Sequence, residues 1–476
     1  MDENALEGKV DQKAEGYFKK YRPYMESLEK SPLGRVKRLT SFDYYALGKM
    51  LESWETVVAI CEANGSMADL GILPRIAQDV ITVSFGTSPM SLIASVQPID
   101  EEVGTVYYKR LLAHAAAGNM STAEEIVGVG GGMQQIPNSY SAAKISSEDV
   151  GADDSTLPYS GTLANTPVRP RSIKVTYVTA LGTFTAEDTP TNATEGTISG
   201  PYVTGTIVYA TGVYTLTFVG DAPTSALVDY QVNFEAATDI RQIDTDLTSK
   251  EVRAMPYALK GTIGLLKRFQ LMKRFGSVAE DELAMDLTNM LNVEQFGDMV
   301  RKLSAAADGI ADNNTNWDAT PPSGVAEEFH RRAMKFYLAK AEKKLVTHAG
   351  RGTRSFYIAG ATVCEYMSVQ PGWQQLYDGA GVSGAHLYGS LDGVPVIRIP
   401  TDTSIIAANK AIIGYKGTST FEAPAVFAPY MPLMVTAMLP MTNPLMNQRA
   451  AAAWVAIDVL VEQFLTTFTL TNEPTD

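Results

Sequence analysis

Cysteine is almost absent from this chain, with two in 476 residues, Cys61 and Cys364. Far apart in sequence, they form neither a metal-binding repeat nor a redox motif, so buried thiols in a reducing compartment are expected. Histidine is as scarce: His114, His330, His348 and His386 show no H-x-x-x-H or H-E-x-x-H spacing, and no zinc ligand set is nominated. No apolar run reaches the roughly 18 residues that a membrane span needs, since even "AAAAWVAIDVLV" is broken by Asp458. The first twenty residues hold no hydrophobic core of a secretory signal, so the chain is expected to be cytosolic when made. Basic charge is in deficit, 39 Lys and Arg against 53 Asp and Glu for a net charge of −14, which argues against whole-surface attraction to nucleic acid.

Catalytic patterns are missing too. "AIIGYKGTSTFEAPAVFAPYMPLM", residues 411–434, places Lys416 before Gly417 where a phosphate loop needs the reverse order. Pro424, Pro429 and Pro432 forbid the helix that should follow, so the stretch reads as a strand, a turn at Lys416-Gly417 and a second extended segment. "VGVGGGM" at 127–133 has Met133 in place of the third glycine of a dinucleotide fingerprint and reads as a hinge. "EDE" at 280–282 falls in a helix first turn, where carboxylates favour the dipole, and Asp244-Thr245-Asp246 has no companion histidine. With no G-x-S-x-G either, no catalytic, cofactor-binding or metal residue is nominated and no enzyme is expected.

What is present is a globular composition, 45% hydrophobic and 19% charged, long enough for about three domains. Residues 1–38 interleave basic, acidic and aromatic groups and read as a solvated arm or a helix that lies on a neighbouring protein. Leu47, Met50, Leu51, Trp54, Val57, Val58 and Cys61 predict a helix stopped by Asn64-Gly65. "ITVSFGTSPMSLIASVQPI" and "TVYYKRLLAHA" then read as strands separated by turns. Residues 172–236 are rich in threonine and hold one base, Lys174, against Glu187, Asp188, Glu195, Asp221, Asp229 and Glu235. Clean alternation at Ile173, Val175, Tyr177, at Tyr214, Leu216, Phe218 and at Val228, Tyr230, Val232, Phe234 predicts an inserted antiparallel β module with a candidate acidic face, and Ala210-Thr211-Gly212 predicts a tight hairpin.

The period then changes. Residues 250–276 gather Lys250, Arg253, Lys260, Lys267, Arg268, Lys273 and Arg274 against the single acid Glu251, a candidate inter-subunit basic cluster for ion pairing with an acidic neighbour, with nucleic-acid contact as the alternative. Ser277 and Glu280 form a capping box for a long helix over 278–305, with Leu283, Leu287, Met290, Leu291, Phe296, Val300 and Leu303 as its apolar face. A second helix repeats Val325, Phe329, Ala333, Tyr337, Ala341 and Leu345, with Glu327 and Glu328 in its first turn. Short strands and one helix near 361–369 complete an α+β pattern.

This order, and above all "IIGYKGTSTFEAPAVFAPYMPLM" followed by "AAAAWVAI", with "SLIASVQPI" before "VYYKRLLA" and "SVAEDELAMDLTNML", resembles the major capsid proteins of tailed bacteriophages. Their fold is the Hong Kong phage shell fold, and the likeness is strongest to T-even-like myoviruses. The resemblance implies an α+β fold with an arm at 1–66, a first peripheral-domain segment at 67–103 and an extended loop at 104–255 that overlies the adjacent subunit and carries the module 172–236. It further implies a peripheral domain with a spine helix at 256–324, an axial domain at 325–415 and closing strands at 416–476. In the family, the "GYKG…APY-P" strand turns and returns along the sheet. By likeness the chain forms hexamers, with pentamers possible, in an icosahedral shell assembled in the host bacterial cytoplasm. Its implied partners are scaffold, portal and vertex or decoration proteins, with packaged double-stranded DNA inside and without sequence-specific binding. No cofactor and no membrane are implied. An arm and a loop with little core of their own would be ordered by neighbours. Two departures stand out: minimal members lack the acidic insertion, and no clear L/I-x-E site for a maturation protease is visible near the N-terminus. The rivals are an encapsulin-type compartment shell, which encloses an enzyme and has shorter chains, and a soluble phosphate-binding enzyme using "GYKGTST". Glycan binding by the β module is a further idea.

Overall fold

The computed structural model describes residues 3–31, 33–34, 37–63, 74–114, 125–127, 143–150, 159–219, 223–237, 242–275, 279–350, 352–376, 385–399, 405–417, 419, 421–436, 438–443 and 445–472. Its helices are α1 (Glu3–Lys20), α2 (Arg22–Lys30), α3 (Ser41–Ala63), α4 (Pro74–Thr87), α5 (Met90–Ile93), α6 (Leu265–Phe275), α7 (Ala279–Gly309), α8 (Glu327–Ala349) and α9 (Ala361–Ser368). The chain divides into two units, one of residues 1–109 and 247–476, the other of residues 110–246. Strands Val103–Ala113 and Ile243–Arg253 carry the chain out of the first unit and back, and they pair in a three-stranded sheet with Glu125–Val127.

Two sheets organise the first unit. In one, Ala94–Val96 pairs parallel with Ala425–Val435, which pairs antiparallel with Met446–Val459, which in turn pairs with Met255–Gly264. The other runs in the order Asn314–Asp318, Leu465–Thr471, Lys410–Gly414, Phe356–Gly360, Val394–Ile399, His386–Leu391, Trp373–Gln375. Helix α7, 31 residues and therefore about 46 Å long, buries Leu287, Leu291, Phe296, Val300 and Leu303 in the same core as Val455, Ile457 and Leu465. Each such side chain contributes roughly 1.5–3 kcal/mol by leaving water. Helix α8 buries Met334, Leu338, Ala341 and Leu345 in a second core with Trp317, Tyr357 and Phe468, and ends at Gly350, whose φ of 67° is the left-handed cap that glycine adopts without strain.

The second unit is a sheet of eight strands in the order Lys144–Asp149, Ser225–Gln231, Lys174–Thr179, Gly182–Pro190, Glu195–Gly200, Val203–Val208, Val213–Phe218, Tyr159–Thr162, every neighbour antiparallel. Alternation dictates its inner face: Val175, Tyr177, Leu216, Phe218, Val228 and Tyr230 are all buried in one core with Ile198 and Ile207. The predicted hairpin joins Val203–Val208 to Val213–Phe218, and its turn needs φ of +69° at Gly212. The module is larger than the expected 172–236, because Lys144–Asp149 and Tyr159–Thr162 supply the two outer strands. It completes its own sheet.

Several expectations are corrected. Asp244 does have a companion histidine, since His114 Nδ1 lies 2.8 Å from its Oδ2. The strands expected in "ITVSFGTSPMSLIASVQPI" are helices α4 and α5 up to Ile93; only Ala94–Val96 is extended. Ile81 and Phe85, one helical turn apart, are both buried, and that tertiary burial outweighs the β-branched composition. The N-terminal residues do not lack a core: Tyr21, Met25 and Leu28 are buried in the core of their own unit with Leu47, Leu51 and Trp54. On α7, Met290 faces solvent and not the core. On α8 the buried stripe is Met334, Leu338, Ala341, Leu345 and Ala349; of the expected row Ala341 and Leu345 are buried, while Val325 and Phe329 are exposed. A strict four-residue repeat drifts around a helix of 3.6 residues per turn. The strand ending at Gly414 does not turn back along its own sheet; after Lys416 and Gly417 the chain crosses to the other sheet, where Ala425–Val435 pairs with Met446–Val459. Asn64-Gly65, the "VGVGGGM" segment beyond Val127, Ser277 and the Cys61 side chain lie outside the described residues.

Candidate assembly surfaces

The seven bases of the expected cluster do not form one patch. Lys250 Nζ lies 2.7 Å from Asp458 and donates to the Val459 carbonyl at 2.8 Å, and the Arg253 guanidinium lies 3.0 Å from Glu102. Both bind within their own chain. Lys260 is exposed on Met255–Gly264, in register with Ala450. The remaining four, Lys267, Arg268, Lys273 and Arg274, all sit on α6, where Lys273 lies 5.5 Å over the Phe269 ring. Sequence spacing joined these residues, but they are spread over two strands, Ile243–Arg253 and Met255–Gly264, and helix α6.

Helix α6 is unusual for its apolar exposure. Leu266 is 72% exposed, Phe269 61% and Met272 67%, with Leu265 beside them. The next helix, α7, exposes Met285 (65%) and Met290 (60%), with Asp286 exposed between them and Glu282 exposed just before Met285. That acidic and methionine stripe went unnoticed in the sequence, although a signal was present: residues 279–300 contain no lysine or arginine.

The acidic residues of the β module also do not share one face. Asp188 is buried, accepting hydrogen bonds from Tyr209 Oη at 2.8 Å and from the backbone N–H groups of Arg171 and Ile173 at 2.8 and 2.9 Å. Burial first, then the bond to Asp188, pushes the Tyr209 phenol well above the usual tyrosine range. Glu187 and Asp229 stand outward on either side of Lys174, each in register with it across the sheet, so the module's one expected base lies between two of its acids. Asp229 accepts from the Ser147 N–H at 2.8 Å. Glu195 and Glu235 are exposed, and Asp221 lies outside the described residues.

The Lys416 stretch borders a cleft of about 670 Å³ lined by Lys37, Thr40, Asp43, Ser355, Lys416 and Ser419 among others. Its lysines are committed within the chain. Lys37 donates to both Asp43 oxygens at 2.9 and 3.0 Å, and Lys416 Nζ donates to the carbonyls of Ser91 and Ala94 at 2.5 and 2.6 Å. Burial, reinforced by Lys37, lowers the Lys416 ammonium to about 7. The side chain therefore holds α5 and the strand after it in place, and a phosphate would compete with those carbonyls. Cys364 is buried, and its thiol is pushed up to about 12 by that burial. Among the described residues no group of three or more His, Cys, Asp or Glu is placed to hold a metal ion.

No curated protein sequence matches the chain. Among solved structures, the capsid of jumbo bacteriophage PhiKZ overlaps at a TM-score of 0.37 and 10% identity, covering 80% of this chain and 92% of that one. The capsid of Myoviridae phage XM1 overlaps at 0.30 and 10%, covering 49% and 79%. The SrpI encapsulin of Synechococcus elongatus overlaps at 0.29 and 12%, covering 49% and 81%. Overlaps this loose do not separate a phage shell from an encapsulin, so the assignment rests on sequence. The sequence model of one family, described as "Major capsid protein Gp23", matches residues 89–452. Spanning both units and most of their strands, that match means that the chain belongs to the Gp23 family of major capsid proteins.

Proposed function

We propose that copies of this chain build the icosahedral head of a tailed bacteriophage around double-stranded DNA, as hexamers, without catalysis. Membership of the major capsid family, through the match over residues 89–452, is the observation that carries this reading. The shell role belongs to the family; the finer parts are our own. In this reading α7 is the spine helix, residues 104–255 are the extended loop, 325–415 the axial domain and 416–476 the closing strands. The N-terminal helices act as a packed buttress and not as a free arm, because Met25 and Leu28 are buried in their own unit. Scaffold, portal and vertex or decoration proteins are proposed partners, with assembly in the host cytoplasm. The net charge of −14 lets a packaged genome slide along an unattractive wall.

The encapsulin rival differs in what is enclosed. Particles isolated from the natural source, treated with nuclease and then opened, are expected to release protected double-stranded DNA. Particles that release a folded enzyme and no DNA would overturn the phage reading in favour of the compartment shell.

A further inference from the structure

Helix α6 has 11 residues, LLKRFQLMKRF, with four bases and no acid. An isolated helix this short is marginal in water, and here Leu265, Phe269 and Met272 line one face at i, i+4 and i+7 with that face in solvent. Leu266 and Lys273 flank it. Three or four large apolar groups held in water on a marginal helix call for a cover, and the charge of the helix says which cover fits.

The first 20 or so residues of α7 have the opposite character: Glu280, Asp281, Glu282, Asp286, Glu294 and Asp298, and no base before Arg301. Glu282, Met285, Asp286 and Asn289 follow i, i+3, i+4, i+7 on its exposed face, with Met290 at the edge. Methionines accept an irregular partner surface readily. From Glu282 to Met290 the stripe runs about 12 Å, and α6 runs about 16 Å, so one covers the other. Within a single chain both faces remain in solvent.

We infer that α6 of one copy docks on the Glu282, Met285, Asp286 and Met290 stripe of α7 in another copy. Phe269 and Met272 pack on the two methionines, while Lys273 and Arg274 pair with Glu282 and Asp286. The contact joins two different surfaces, so each copy gives one and receives one, and repetition closes a ring. It rests on the shell reading above and names the surfaces that reading left open. Acidic rim charges facing basic ones also set the direction of the ring and exclude the reversed pairing.

The test uses the full chain in assembled particles. Met272→Cys and Met285→Cys are introduced together and treated with a short bis-maleimide, beside the unsubstituted chain as control for Cys61 and Cys364. The expected result is chain-to-chain dimers and higher ladders on a denaturing gel, absent from the control and from either single variant. Separately, the K273E/R274E variant is expected to lower particle yield about tenfold, and the same variant with Glu282→Lys and Asp286→Lys to recover most of it. These positions are exposed, and circular dichroism of each variant checks that the fold is kept. Particles with no ladder, a cross-link to a different protein, or a reversal that leaves yield unchanged would overturn the contact and leave the shell reading standing. An unsubstituted chain that forms no particle under any condition overturns both.

Discussion

The Tyr17 phenol donates a 2.6 Å hydrogen bond to Glu52, and its ring lies so close over Gly48 that a Cβ there would come within 2.4 Å of the ring. Helix α1 is thereby fastened to α3, with Lys20 and Glu55 in contact at 2.7 Å one turn further on. We expect Gly48→Ala to prise α1 from α3, read as faster amide exchange across residues 3–20 while α7 is unchanged. Unchanged exchange in α1 would show that the helix tolerates the added methyl by shifting as a body.

The same pair predicts a response to acid. The Tyr17 hydrogen bond, ahead of the cost of burial, holds Glu52 below its ordinary value of 4.5, so its contribution to stability is present above pH 4.5 and is lost as pH falls through the lower folded value. Exchange of α1 should therefore rise below about pH 4.5, and Tyr17→Phe should flatten that rise while costing roughly 1 kcal/mol at neutral pH, the discount reflecting exposure of the pair.

Leu28 is fully buried between α2 and the core of its unit. Leu28→Ala is expected to cost about 2–5 kcal/mol by opening a cavity, seen as a lower denaturation midpoint. A cost below about 0.5 kcal/mol, the value of an ordinary surface substitution, would mean that the N-terminal helices are a loose arm after all.

The β module should fold alone. Residues 143–237 contain the eight strands and their own buried core, so the excised segment is expected to give a cooperative unfolding transition. Asp188→Ala should lower its stability by about 3 kcal/mol, since one buried carboxylate serves two N–H groups and the Tyr209 phenol. Because the Tyr209 phenol titrates above its ordinary value of 10, its contribution is intact below pH 10 and is lost as pH rises through the folded value, so the module should weaken in strong alkali. Asp188→Ala should remove part of that loss.

Lys416 predicts the reverse trend in the other unit. Below about pH 7 its ammonium is charged in both states and the fold carries the cost of burying it; between about 7 and the ordinary 10.5 the unfolded chain holds the extra proton, so stability rises with pH. Lys37 and Asp43 are the charged neighbours that act on it. Denaturation followed between pH 6 and 9 should show this rise, and Lys416→Met should abolish it.

How much of this was legible depended on whether a local period matched the environment. The β module was plain because Val175, Tyr177, Leu216 and Tyr230 alternate on a sheet with one wet face. Its outer strands were not, because "KISSED" and "YSGT" are short and polar and are strands only through their partners. Helix α4 was misread because Ile81, Val83 and Phe85 mimic alternation, while only its burial at Ile81 and Phe85 reveals a helix. The basic cluster was visible as composition, but sequence could not say that Lys250 and Arg253 would be taken up by Asp458 and Glu102, residues far along the chain. Met290 looked like core because it fits the α7 stripe as well as its neighbour Leu291 does; only the packed helix shows which of the two faces inward.

The account's central claim, that this chain is a repeating tile of a closed shell, is tested most directly by electron cryomicroscopy of the purified full-length protein. We predict closed icosahedral particles in which the density of one chain repeats around sixfold centres. Homogeneous monomers or dimers at every concentration and salt condition, with no closed particle, would contradict it.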